Sequence, residues 1–268
     1  MKDNLVLFDV DGTLTEARQP INKEMLKALR VISKYCEIGF LTGSGLEYLK
    51  EQLWPAFNDP HIRSSCHLLP CNGTEYLITS VKGDVVFNSI SKDIMSKKIG
   101  QEDFTHLLRH LCHLQSEMIR ELGTQLPLTG HFIQNRESMI NWCPIGRNAN
   151  PDQRDKFKAI DKLTGIRMRY LDKLIRYTEI YNSDIAVKLG GNTSFDIFPS
   201  GWDKTYALNH FDMSKWNFWF VGDSCSPEGN DFEIFELLKD TGHAFETGGL
   251  LDTLDIIYYY ILPEIGDI

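Results

Sequence analysis

The stretch Leu5-Val6-Leu7-Phe8-Asp9-Val10-Asp11-Gly12-Thr13-Leu14-Thr15 constrains this chain more than any other. An apolar run ends in Asp-Val-Asp-Gly-Thr, and the run reads as a buried strand. Gly12 lets the chain turn sharply at the strand's carboxyl end. In open α/β sheets that end is where ligands bind. Two carboxylates one residue apart repel each other there, unless a cation or a proton offsets the repulsion. An acidic turn capping the next helix is the plainer alternative, since Asp-Gly is common in turns.

A chain of 268 residues can bury a large core and hold one or two domains. Lys and Arg number 28 against 37 Asp and Glu, a formal net charge of -9. That balance argues against a nucleic-acid partner held on a broad basic face, and leaves room for a local cationic pocket. No apolar run is long enough to span a membrane, so no membrane partner is expected. Asp3 and Asn4 precede a run too short for a secretory leader, and none of the six cysteines forms a Cys-x-x-Cys pair. A cytoplasmic protein with reduced thiols is the expectation.

Hydrophobic spacing predicts a helix from an Asn22 cap to about Tyr35, then a strand over Glu37–Thr42. Thr42-Gly43-Ser44-Gly45 follows, a strand-to-helix turn whose hydroxyls and N–H groups can hold a phosphate oxygen. A third strand over His67–Pro70 leads to a hairpin pairing Thr74–Thr79 with Asp84–Asn88. Ile90–Gly100 is lysine-rich and reads as a linker. Helical periodicity returns over Glu102–Leu122, whose His106, His110 and His113 lack an acidic partner to complete a metal site. Strands over His131–Arg136 and Ser138–Cys143, a long helix from Pro151 broken near Gly165, and strands at Asp184–Leu189 and Phe195–Phe198 follow. The expected division is therefore a core over residues 1–90, an inserted α+β segment over 91–199, and the rest of the core over 200–268. In that last part a helix opens at Trp202-Asp203-Lys204, a strand over Phe218–Val221 enters Gly222-Asp223, and Leu250–Leu262 forms a final helix.

Two acidic loops thus follow strands, Asp9/Asp11 early and Asp223/Asp231 late. Carboxylates converging at strand ends make an oxygen-ligand site of the kind Mg2+ prefers. Lys204 precedes the late loop, and its point charge suits a phosphate beside a carboxylate nucleophile. An aspartate can attack phosphorus directly, and phosphoryl transfer needs chiefly positioning and charge neutralisation.

Asp9-Val-Asp-Gly-Thr, the Thr42/Ser44 turn, Lys204 and Gly222-Asp223 with Asp231 resemble the motif set of the haloacid-dehalogenase superfamily. The longer late loop, Gly229-Asn230-Asp231-Phe232, is similar to that of the eukaryotic-type phosphomannomutases. So are Pro144-Ile145-Gly146-Arg147 and the block Ser194-Phe195-Asp196-Ile197-Phe198-Pro199 with Gly201-Trp202-Asp203-Lys204. The resemblance runs from Leu5 to about His243.

The resemblance implies an α/β fold, a Rossmann-like haloacid-dehalogenase core with an inserted α+β cap domain. It implies Asp9 as nucleophile and Mg2+ ligand, and Asp11 as general acid/base that offers its backbone carbonyl to the metal. Asp223, Asn230 and Asp231 would complete the metal site. Thr42, Ser44 and Lys204 would hold the transferring phosphoryl group. Arg136, Arg147 and Arg154 would hold the sugar's distal phosphate, Ser194 and Asp196 would bond its hydroxyls, and Arg18 would also contact substrate. The activity implied interconverts mannose 6-phosphate and mannose 1-phosphate through an aspartyl-phosphate, primed by a hexose 1,6-bisphosphate, in a homodimer paired through the caps. A sugar-phosphate phosphatase and an inactive sugar-phosphate-binding protein are the alternatives. Glu137-Ser138, Trp142-Cys143, Asn192 and Glu228 depart from the family pattern, which leaves the preferred hexose open.

Overall fold

The computed structural model describes residues 3–266. Among these residues the strands are β1 (Asp3–Phe8), β2 (Glu37–Leu41), β3 (Cys66–Leu69), β4 (Glu75–Thr79), β5 (Phe87–Lys92), β6 (Ile133–Asn135), β7 (Ile140–Trp142), β8 (Ile185–Gly190), β9 (Ser194–Pro199), β10 (Trp216–Gly222) and β11 (Ala244–Glu246). The chain forms two compact units. One holds the chain up to Lys92 together with the chain from Trp202 onward, and the other is Asp93–Gly201.

The first unit is built on a seven-stranded sheet in the order β11-β10-β1-β2-β3-β4-β5. Its centre is parallel, with β1 between β10 and β2, and β4 and β5 add antiparallel at one side. Strand β1 is apolar on both faces because both faces are covered. Val6 and Phe8 join one core with Ile38, Phe40, Leu53 and Ile257. Leu5 and Leu7 point the other way, into a second core with Leu69, Phe220, Ile234 and Leu238.

Helix Lys23–Ile32 begins where Asn22 accepts from the Met25 N–H, and helix Leu46–Phe57 follows Gly45. The β3–β4 turn holds Asn72 in the left-handed region at φ 61°. The segment expected as a linker is ordered: β5 runs on to Lys92, and Met95–Ile99 is a short helix with Met95 buried. The hairpin's second strand is displaced to Phe87–Lys92, with a register shift between Tyr76 and Leu77. Lys204–His210 is a 3-10 helix capped by Asp203. The last helix runs Leu250–Asp255, widens to a π-helix over Ile256–Ile261, and ends at Ile265. The wide turns let Ile256, Ile257 and Ile261 stay buried while Tyr258, Tyr259 and Tyr260 face solvent.

The second unit is a four-stranded antiparallel sheet, β6-β7-β9-β8. Residues alternate between its faces. Ile140, Trp142, Phe195, Ile197 and Val187 form a buried apolar face. The helices of this unit run Gln101–Leu122, Pro151–Thr164 and Ile166–Tyr181. A left-handed Gly165 at φ 61° breaks the latter pair where the break was expected. His110 lies flat on the Tyr177 ring at 3.8 Å. The face opposite the apolar one carries Gln134, Asn141, Asp196 and Lys188 in register across all four strands.

Candidate active site

Parallel packing brings the carboxyl ends of β1 and β10 side by side, and the Asp9 N–H donates to the Val221 carbonyl at 2.9 Å. Asp9, Asp223 and Asp231 each place a carboxylate oxygen within 4.8 Å of the others'. Asp231 is fully buried and accepts from the Ser224 N–H at 3.0 Å. Gly12, at φ +88°, passes against Asp223, and a Cβ there would stand 2.2 Å from its Oδ2. The tight turn read from the sequence therefore makes room for this carboxylate.

Lys204 is wholly buried at the start of its 3-10 helix and donates to both Asp9 and Asp231. Burial works against its charge, but Asp231 and Asp9 together outweigh burial and raise its pKa above the ordinary lysine value. Burial also pushes the Asp9 pKa well up, Lys204 pulls it down, and Asp231 and Asp223 push it up again. Asp223 is raised to about 6, by burial first and then by Asp231. One lysine does not neutralise three carboxylates, so a hard cation with oxygen ligands fits this cluster.

The Asp11 carboxylate lies outside that trio. Its Oδ1 accepts from the Arg18 N–H at 3.0 Å and from Gln52 Nε2 at 2.6 Å. Gln52 is buried on helix Leu46–Phe57, and its Nε2 also reaches Thr15 Oγ1 at 3.3 Å. The Arg18 guanidinium lies 5.7 Å from the Tyr48 ring centre. Thr42 is buried, and its Oγ1 accepts from the Ser44 N–H at 3.1 Å. Asn230 follows Gly229 in the loop that brings back Asp231.

The other predicted residues lie in the second unit. Asp196 Oδ1 accepts from Asn141 Nδ2 at 2.7 Å, and Arg136 Nη1 stands 4.0 Å from the same oxygen. Asn141 Oδ1 accepts from Arg147 Nη1 at 3.3 Å. Arg154 braces this region, donating to the Ala149 carbonyl at 2.9 Å, the Arg147 carbonyl at 3.1 Å and Thr193 Oγ1 at 2.8 Å. Ser194 is buried, and its carbonyl accepts from Arg167 at 2.8 Å. Gly190 lets Asp196 in, since a Cβ there would lie 2.8 Å from the carboxylate.

Gln52, Asn141 and Thr193, which bond candidate residues, were not singled out from the sequence. Asn141 carried the clearest signal, a lone amide inside the apolar run Met139–Cys143. Gln52 carried none, being one polar residue among several on its helix.

A parallel sheet with an acidic cluster at its strand ends and an inserted α+β unit defines the haloacid-dehalogenase class of fold. Solved phosphatases share it. Plasmodium falciparum IMP-nucleotidase superposes with a TM-score of 0.65 at 15% identity, covering 100% of this chain and 64% of that one. The C. albicans trehalose-6-phosphate phosphatase C-terminal domain gives 0.51 at 15% identity, covering 96% and 92%.

Sequence comparison is more specific. The profile described as "Eukaryotic phosphomannomutase" matches residues 24–258. Phosphomannomutase of Saccharomyces cerevisiae is 33% identical over 261 residues, covering 95% of this chain and 93% of the yeast protein. That of Schizosaccharomyces pombe is 35% identical over 243 residues, covering 90% and 88%. That of Arabidopsis thaliana is 32% identical over 243 residues, covering 90% of each chain. The chain belongs to the eukaryotic phosphomannomutase family.

Proposed function

We propose that this chain is a phosphomannomutase, interconverting mannose 6-phosphate and mannose 1-phosphate through an aspartyl-phosphate on Asp9. The observation that carries this reading is the family match across residues 24–258, in a chain whose Asp9, Asp223 and Asp231 cluster beside a buried Lys204. Asp9, Asp223, Asp231 and Asn230, with the Asp11 backbone carbonyl, would hold Mg2+. When bound, the ion neutralises charge on the transferring phosphoryl group.

A hexose 1,6-bisphosphate primes the enzyme. A carboxylate oxygen of Asp9 attacks phosphorus, and the bond from phosphorus to the sugar oxygen breaks. Asp11 gives a proton to that leaving oxygen. In the reverse half-reaction Asp11 takes the proton from a sugar hydroxyl, whose oxygen attacks the phosphoryl group on Asp9. Lys204, Thr42 and Ser44 hold the phosphoryl oxygens, as oriented N–H and O–H donors do in phosphoryl transfer.

A mutase must also hold a second phosphate on the same sugar. Arg136, Arg147 and Arg154 supply guanidinium forks suited to it. Ser194 and Asp196 bond sugar hydroxyls, and Arg18 contacts the substrate as well. The second unit serves as the cap, and pairing through it gives a homodimer. We place the enzyme in the cytoplasm, acting on a small molecule; among the described residues no helix is long and apolar enough to cross a membrane. Intact-protein mass spectrometry after exposure to glucose 1,6-bisphosphate tests the covalent step. A phosphoryl adduct on the wild type and none on Asp9→Asn is expected. Equal labelling of the two would contradict it.

A further inference from the structure

Asn141 is bonded to two of the substrate-binding candidates at once. It is 2% exposed, in the middle of β7. Its Nδ2 donates to Asp196 Oδ1 at 2.7 Å, and its Oδ1 accepts from Arg147 Nη1 at 3.3 Å. The amide orientation is fixed by chemistry: the carboxylate needs a donor and the guanidinium needs an acceptor. Backbone register puts Asn141 directly opposite Asp196, so neither partner has to stretch to meet the other.

Charge gives this arrangement a consequence. Arg136 already stands 4.0 Å from Asp196 Oδ1. Without the amide between them, the opposite charges of Asp196 and Arg147 would draw the two toward an ion pair, and each would lose charge it offers to substrate. A neutral group that bonds both stands in the way of that pairing, and its bond to Asp196 is made to Oδ1.

We infer that Asn141 is a positioning residue that keeps Arg147 and Asp196 apart and aims them at one bound sugar phosphate. This rests on the proposed function. Asn141 is a source of substrate affinity without being a ligand itself. An apolar replacement of similar shape keeps the strand and loses both bonds, so Asn141→Leu is the informative change. Asn141→Asp, which keeps the acceptor and loses the donor to Asp196, is the second variant.

The experiment is a double-mutant cycle of Asn141→Leu with Arg147→Ala, and another of Asn141→Leu with Asp196→Ala. Mannose 1-phosphate is the probe, with KM and kcat read by turnover in the presence of Mg2+ and glucose 1,6-bisphosphate, and Kd by calorimetry without the bisphosphate. Asn141→Leu is expected to raise KM and Kd about tenfold while kcat falls less. In each cycle the double variant should be no worse than the poorer single variant by more than about twofold. Asn141→Asp should weaken binding at least as much as Asn141→Leu, by setting a second carboxylate against Asp196. Additive effects in both cycles, or unchanged Kd in a folded Asn141→Leu, would overturn the inference. A wild type that binds mannose 1-phosphate without converting it when Mg2+ and glucose 1,6-bisphosphate are present would sink the mutase reading, and the calorimetric cycles would still decide the role of Asn141. A wild type that does not bind it would overturn both.

Discussion

Gly12 lies so close to Asp223 that a Cβ on residue 12 would stand 2.2 Å from the carboxylate oxygen, and its φ of +88° disfavours any side chain. The turn after β1 and the loop after β10 are therefore built around each other. Gly12→Ala must either displace Asp223 or twist the turn that carries Asp11. Activity should fall by about a hundredfold or more, with Mg2+ binding weakened alongside it. Calorimetric titration of Mg2+ against this variant checks the point.

Asp9→Asn should abolish turnover, because an amide cannot form the acyl phosphate. It should not cost stability. Burial makes ionised Asp9 unfavourable in the folded state, and its raised pKa records that penalty. The neutral amide removes the penalty and still offers Lys204 an acceptor. Thermal melts at neutral pH without Mg2+ should place Asp9→Asn at or above the wild type.

Stability without Mg2+ should fall as pH rises from about 4 to about 6. Folded Asp223 releases its proton near 6, whereas a free aspartate does so near 3.8. Between those values the folded state holds more protons than the unfolded one, so raising pH favours unfolding. Asp9, raised by burial, acts in the same direction. Bound Mg2+ should reverse the trend, because it stabilises the ionised forms. Melting temperatures across pH with and without Mg2+ should diverge above about 6. Parallel curves would remove Asp223 from the metal site.

Arg147→Ala should raise KM for mannose 1-phosphate roughly tenfold to a hundredfold, with kcat changed less. The side chain sits at the edge of the Asn141 network and carries no core packing comparable to that of Trp142. Steady-state kinetics checks this, and an unchanged KM would remove Arg147 from the substrate site.

The sequence made the scaffold legible where one residue pattern had one structural solution. An apolar run on both faces, ending in Asp-Val-Asp-Gly-Thr, suits a central parallel strand with its polar end at the rim, and β1 is that strand. Gly165 was readable as a break because it is a helix C-cap in a helical pattern. The Ile90–Gly100 segment misled because lysines can decorate an edge strand and a short helix as readily as a linker. Gln52 stayed invisible for another reason. Its partner Asp11 is 41 positions away, and only the packing of helix Leu46–Phe57 brings them together. The π-helix at Ile256–Ile261 is likewise set by tertiary burial of isoleucines that a regular helix would not align.

In a mutase the phosphoryl group returns to the sugar and is not lost to water. A phosphorus NMR time course with mannose 1-phosphate and Mg2+, run with and without glucose 1,6-bisphosphate, tests it directly. Mannose 6-phosphate growing in strictly on addition of the bisphosphate is the predicted result. Free phosphate accumulating at the same rate in both samples would contradict it and make the chain a phosphatase.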